Sequence, residues 1–244
     1  MVTSVGTTTG TTSLLSQAIS AAKSNAATNA AAASNTTTSS SSSSSLSSLG
    51  GNFNQFLTLL TTQLQHQDPS NPTSTDSFTA ELAQFAGVQQ QVETNTNLTS
   101  LISATQDNQM ASAVSLIGKT TTASTSSLPL QSGSASLSFT APQAGDVAIA
   151  ITDSTGTVVK SETVDASVGT NTWTWDGKNN SGTQLSNGAY TVAVEGSSTD
   201  GTTVSLPTTV TGTVTGVSKG TSGVNIDMGS ATINMSDLTG FSST

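Results

Sequence analysis

The sequence has no cysteine and no arginine, and its 244 residues carry only five lysines against fourteen acidic groups. Without cysteine, disulfides, thiolate nucleophiles and cysteine-ligated zinc are all excluded. Charged residues make up 8% of the chain and the net charge is −9. Phosphate binding needs clustered cations, and none cluster here, so nucleic acid is not an expected partner. An anionic membrane surface would repel the chain for the same reason. Aromatic residues are 4% and hydrophobic residues 33% of the total, too few for one large core. Long apolar runs are missing as well. No stretch approaches the roughly 20 residues of a membrane helix, so membrane insertion is not expected. The N-terminus MVTSVGTTTGTTSLLSQ has no cation before Lys23 and no cleavable-signal pattern. That leaves two readings: a cytoplasmic chain, or export by a route that reads another signal.

What is present falls into three parts. Residues 1–52 are mainly Ser, Thr and Ala with few large side chains, ending in the serine-rich run at Ser39–Gly51. Such a segment buries too little apolar surface to offset an ordering entropy of about 1–2 kcal/mol per residue. It reads as a disordered leader, although the alanines of AISAAKSNAATNAAAA favour helix if a partner is supplied.

From Phe53 the pattern is helical. Phe53, Phe56, Leu57, Leu60 and Leu64 recur at spacings of three and four, one face of a helix. Asp68-Pro69 and Asn71-Pro72 end that helix near Gln67. Thr75, Asp76 or Ser77 then caps a second helix, whose stripe is Phe78, Leu82, Phe85, Val88 and Val92. Leu98, Leu101 and Ile102 extend it after a change of phase. The stripes either pack together as a hairpin or form interfaces with other subunits, and both can hold at different stages.

Beyond Ile117 the period becomes two. Leu137 and Phe139, then Val147, Ile149 and Ile151, then Trp173 and Trp175, then Tyr190, Val192 and Val194 alternate with polar residues. Turn sequences at 153–156, 176–182, 186–188 and 199–201 separate them. Short, regularly spaced strands of this kind make antiparallel β modules, with Trp173, Trp175 and Tyr190 as structural core.

Sites for chemistry are few. His66 is the single histidine and has no second ligand nearby in sequence, so it reads as a surface residue. DGKNNSG has the look of a calcium loop. Counted from Asp176, however, the sixth and twelfth places hold Ser181 and Asn187 instead of Gly and Glu. A β-turn explains it more simply, with weak ion binding as the lesser reading. The carboxylates Asp153, Glu162, Asp165 and Asp176 lie in or beside turns, which argues against a paired acid and base. No catalytic residue, metal site or cofactor is expected, and the chain reads as non-enzymatic.

Two stretches resemble a known family. FLTLLTTQLQHQDPSNPTSTDSFTAELAQFAGVQQQVE, residues 56–93, joins FLxLLxxQLxxQDPxxP to FTAxLAQF. GDVAIAITDSTGTVVKSE at 145–162, NTWTWDGKNNSGTQLSNGAYTVAVE at 171–195 and GTVTGV at 212–217 are similar to the β region of the same family. It is the flagellar hook-capping (FlgD) family, also called hook assembly or basal-body rod modification proteins. Glu81 and Gln90 depart from its usual residues. The resemblance implies a mainly β chain with an N-terminal helical region. An immunoglobulin- or fibronectin-like sandwich at 136–200 would be inserted in a small Tudor-like barrel at 113–135 plus 201–244, after a helical assembly region at 53–112. It also implies export through the flagellar type III apparatus, with Phe56 and Leu60 matching an aromatic-x-x-x-aliphatic export-gate motif. Outside, the protein would form a transient homo-oligomeric cap at the tip of the growing hook, contacting hook subunits. The competing expectations are an immunoglobulin-like surface adhesin and a glycan hydrolase with an accessory sandwich. Neither explains residues 56–93.

Overall fold

The computed structural model describes residues 8–34, 75–220 and 222–242. The chain divides into two compact units, residues 1–34 with 108–244, and residues 35–107. Two helices are described, α1 (Thr8–Ser34) and α2 (Thr75–Ala113). The strands that follow are β1 (Thr120–Ser124), β2 (Ser127–Leu130), β3 (Ala135–Ala141), β4 (Gly145–Thr152), β5 (Val158–Ala166), β6 (Gly169–Trp175) and β7 (Gly188–Ser197). After them come β8 (Thr203–Ser205), β9 (Thr208–Thr213), β10 (Gly216–Gly220), β11 (Gly223–Met228), β12 (Ala231–Asn234) and β13 (Leu238–Ser242).

In the first unit the strands form two larger sheets and a meander, antiparallel at every pair. One sheet has the order β13-β1-β9-β3-β6, the other β2-β7-β4-β5, and β10-β11-β12 make the meander. Glu195 pairs with both Ala148 and Ser205, so β8 continues the β7 edge that β2 begins. Alternation places Leu137, Phe139 and Val210 of the first sheet in one core with Val147, Ile149, Ile151, Val192 and Val194 of the second. Val224, Ile226, Met228 and Ile233 of the meander belong to that core too. Gly212 in β9 permits this close approach. A Cβ there would lie 2.7 Å from Met228 Sδ and 2.9 Å from Pro129 Cγ.

The leader departs from expectation. Residues Thr8–Ser34 form a helix, and Leu14, Ala18, Ala22 and Ala26, spaced four apart, are buried. The reason lies in β4, where every residue from Val147 to Thr152 is buried. Its odd positions face the sandwich core, while Ala148 and Ala150 join Ala193 of β7 in a second cluster under α1. An alanine-rich helix is marginal alone, and a sheet face of small side chains supplies the packing that composition could not reveal.

Strand pairing also crosses the boundaries expected at 135/136 and 200/201. β3 pairs with β9 from Ser136↔Thr211 to Phe139↔Thr208, and β2 pairs with β7 from Ser127↔Thr191 to Leu130↔Gly188. The flanking segments therefore complete the sandwich sheets by hydrogen bonding. Such pairing joins residues 58 or more positions apart, which periodicity along the chain does not report.

In the second unit the described part is α2 up to Asp107. The helix begins at Thr75, as the capping residues indicate, and runs 39 residues without a break through the change of phase. At 1.5 Å per residue that is about 58 Å. Its last turn lies in the first unit, where Met110 and Ala113 pack on the core.

Candidate assembly surfaces

The loop-bearing end of the sandwich is held by the three aromatic residues singled out in the sequence. Trp175 is fully buried, and its Nε1 donates to the carbonyl of Lys178 at 2.8 Å. Tyr190 meets it edge to face, ring centroids 5.0 Å apart at 84°, and donates its hydroxyl to the Ser186 carbonyl at 2.9 Å. Trp173 is half-buried, with Nε1 donating to Glu162 Oε1 at 2.7 Å. Glu162 also pairs with Lys160 at 2.9 Å.

The DGKNNSG stretch is a chain of turns. Asp176 Oδ1 accepts the Lys178 amide, and Asn179 Oδ1 accepts those of Ser181 and Thr183. Gly177 takes φ 69°, and a Cβ there would stand 2.7 Å from the Gly133 carbonyl. These side chains bend back to their own backbone instead of converging on an ion. Asp153 behaves in the same way at the β4–β5 turn. Burial pushes its carboxyl up, but the Thr155 hydroxyl and the amides of Thr157, Thr155 and Gly156 outweigh that and hold it below its usual value. Clefts of about 220 and 360 Å³ are lined by uncharged residues, Asn25, Ser124 and Ser205 in one, Gln131, Asn187 and Thr213 in the other. Neither brings an acid and a base together.

The helix α2 presents a different surface. Val88, Leu98, Leu101 and Ile102 are 45%, 52%, 63% and 58% exposed, whereas Val92 is half-buried. Around them the hydroxyls of Thr94, Thr96, Thr99 and Thr105 donate to backbone carbonyls of their own helix four residues back. These hydroxyls are thus satisfied within the helix. Between Gln84 and Ala113 the charges are Glu93 and Asp107, with no cation. This is an apolar row on a helix without cations, suited to another polypeptide and ill suited to a phosphate. Of the other expected assembly residues, the side chains of Phe78, Leu82 and Phe85 and all of Phe53, Phe56, Leu57, Leu60 and Leu64 lie outside the described residues.

A third surface, missed in the sequence, is the face of β4 and β7 beneath α1. Thr152 Oγ1 donates to the Ala22 carbonyl at 3.3 Å. Asn25 Nδ2 donates to the Val192 carbonyl at 3.4 Å, and Asn29 Nδ2 to Thr191 Oγ1 at 3.3 Å. Glu195 is buried in β7, and desolvation raises its pKa, partly offset by a hydrogen bond from Ser205. The spacing of Leu14, Ala18, Ala22 and Ala26 was the available signal for this contact. Among the described residues no helix is long and apolar enough to cross a membrane.

Comparison with known proteins finds two matching family regions and several similar chains. Residues 9–100 match the family described as "Flagellar hook capping protein - N-terminal region". Residues 124–200 match "FlgD Ig-like domain", which takes in β2 as well as β3 to β7. The chain is 33% identical over 186 residues to the basal-body rod modification protein FlgD of Salmonella typhimurium, covering 72% of this chain and 80% of that one. The FlgD of Escherichia coli K12 shows the same identity and coverage. A crystal structure of FlgD from Xanthomonas campestris superposes with TM-score 0.47 at 27% identity, covering 55% of this chain and 99% of that chain.

Proposed function

We propose a function from one premise: this chain belongs to the flagellar hook-capping (FlgD) family. It acts in hook assembly. The finer reading is that it caps the distal end of the growing hook, where its helical segment engages hook subunits and other copies of itself while subunits polymerise beneath it. It works as a scaffold and not as an enzyme, reaching that position through the flagellar type III apparatus with Phe56 and Leu60 as the gate motif. Residues 113–135 and 201–244 form the Tudor-like barrel, whose strand β9 also pairs with β3 of the sandwich. Neither adhesin nor hydrolase draws support from the relatives.

One observation carries the reading: the uncovered row Leu98, Leu101 and Ile102 on a helix without cations. Large apolar side chains grouped on one helix mark a polypeptide interface, and a polar, aromatic-poor surround suits contacts that must be released. Leu101→Asp with Ile102→Asp buries two charges in that interface and leaves the β unit untouched. In a strain lacking the gene, this variant is expected to fail to restore hooks, with hook subunits shed into the medium. Normal hooks from the double variant would overturn the reading.

A further inference from the structure

The cluster beneath α1 is separate from the sandwich core. It contains Leu14, Ala18 and Ala22 of the helix with Ala148, Ala150 and Ala193 of the sheet, while Ile149, Ile151, Val192 and Val194 face the other way. The helix can therefore leave without opening the main core. What holds it is Leu14, Leu15 and Ile19 packed with alanines, and side-chain hydrogen bonds of 3.3–3.4 Å through Thr152, Asn25 and Asn29. The chain leaves this unit at Ser34 and returns at Asn108, so α1 is joined to the sheet it covers only through the other compact unit. The join includes the serine run Ser39–Ser45. Nothing in the contact itself distinguishes this copy's helix from that of an identical neighbour, the situation in which an element is exchanged at low cost.

We propose that the outer face of the β4–β7 sheet is a helix-docking site whose occupant in the assembled protein is α1 of a second copy. Exchange links neighbouring copies through chain already present and needs no new interface. The proposal uses the self-association in the functional reading but not the hook, so each stands or falls separately.

The absence of native cysteine makes the test direct. Asn29→Cys is placed in one full-length chain and Thr191→Cys in a second that carries an affinity tag, and the two are mixed before mild oxidation. Exchange brings these side chains together and gives disulfide-linked heterodimers. Asn29→Cys mixed with Val168→Cys, on the exposed β5–β6 hairpin, sets the collisional background. Heterodimer from the Asn29/Thr191 pair several-fold above that background is expected. Adding Ala18→Glu and Ala22→Glu to the Asn29→Cys chain should return the yield to background. A yield equal to the Val168 control, with the Asn29→Cys/Thr191→Cys double variant cross-linking only within itself, would overturn exchange. Insensitivity to the glutamate pair would do the same.

Discussion

Trp175 shows how a single side chain serves two purposes at one end of the sandwich. Its ring fills the core, and its indole nitrogen fixes the loop that begins one residue later. Trp175→Ala leaves a large cavity and an unpaired Lys178 carbonyl, a loss of about 3–5 kcal/mol. Urea titration should show a lower midpoint with an unchanged slope. A shift below a third of that size would mean that the loop collapses into the gap. Glu195 makes the opposite point, because it is a cost carried by the fold. Burial raises its pKa, so as pH rises the unfolded chain releases the proton before the folded one does. The folded state is thus penalised above the ordinary carboxylate value, and the full penalty is reached once pH passes the raised one. Glu195→Gln should be close to neutral in acid and stabilising at neutral pH, read from thermal midpoints at several pH values. Parallel curves for the two proteins would contradict a desolvated carboxylate.

At the level of elements, legibility followed the range of the forces. The strands with turns at 153–156 and 176–182 were readable because alternation and Asx-type turns such as those of Asp153 and Asn179 are local. The start of α2 at Thr75 was readable for the same reason. What stayed hidden depended on partners distant in sequence. Ala148 and Ala150 look like weak spacers in a strand, and Ala18 and Ala22 like filler in a low-complexity leader. Only their meeting across about 130 residues makes either set a core. The pairing of β3 with β9 across the expected boundary at 200/201 is of the same kind. Of the candidate surfaces, the position of the α2 row was legible from spacing, and its exposure was not. An apolar stripe reads identically whether a neighbouring helix or a separate molecule covers it.

For the whole molecule, the proposed function gives two tasks to one lightly charged, cysteine-free chain: leaving the cell and then gripping protein neighbours. The proposed division puts departure at Phe56 and Leu60 and grip at Leu101 and Ile102, in different stretches of sequence. Loss at each should therefore look different. Phe56→Ala removes the aromatic side chain of the proposed gate motif, so the variant is expected to stay in the cytoplasm while the β unit keeps its stability. Leu101→Asp with Ile102→Asp should pass into the medium in normal amounts and still leave the cell without hooks. Trp175→Ala provides the control for instability, since an export route that takes unfolded chain tolerates a weakened sandwich. Fractionating cells and medium for the three variants tests the arrangement. If Phe56→Ala is secreted as well as wild type, or if the α2 double variant is retained with it, export and grip do not divide along the chain in this way.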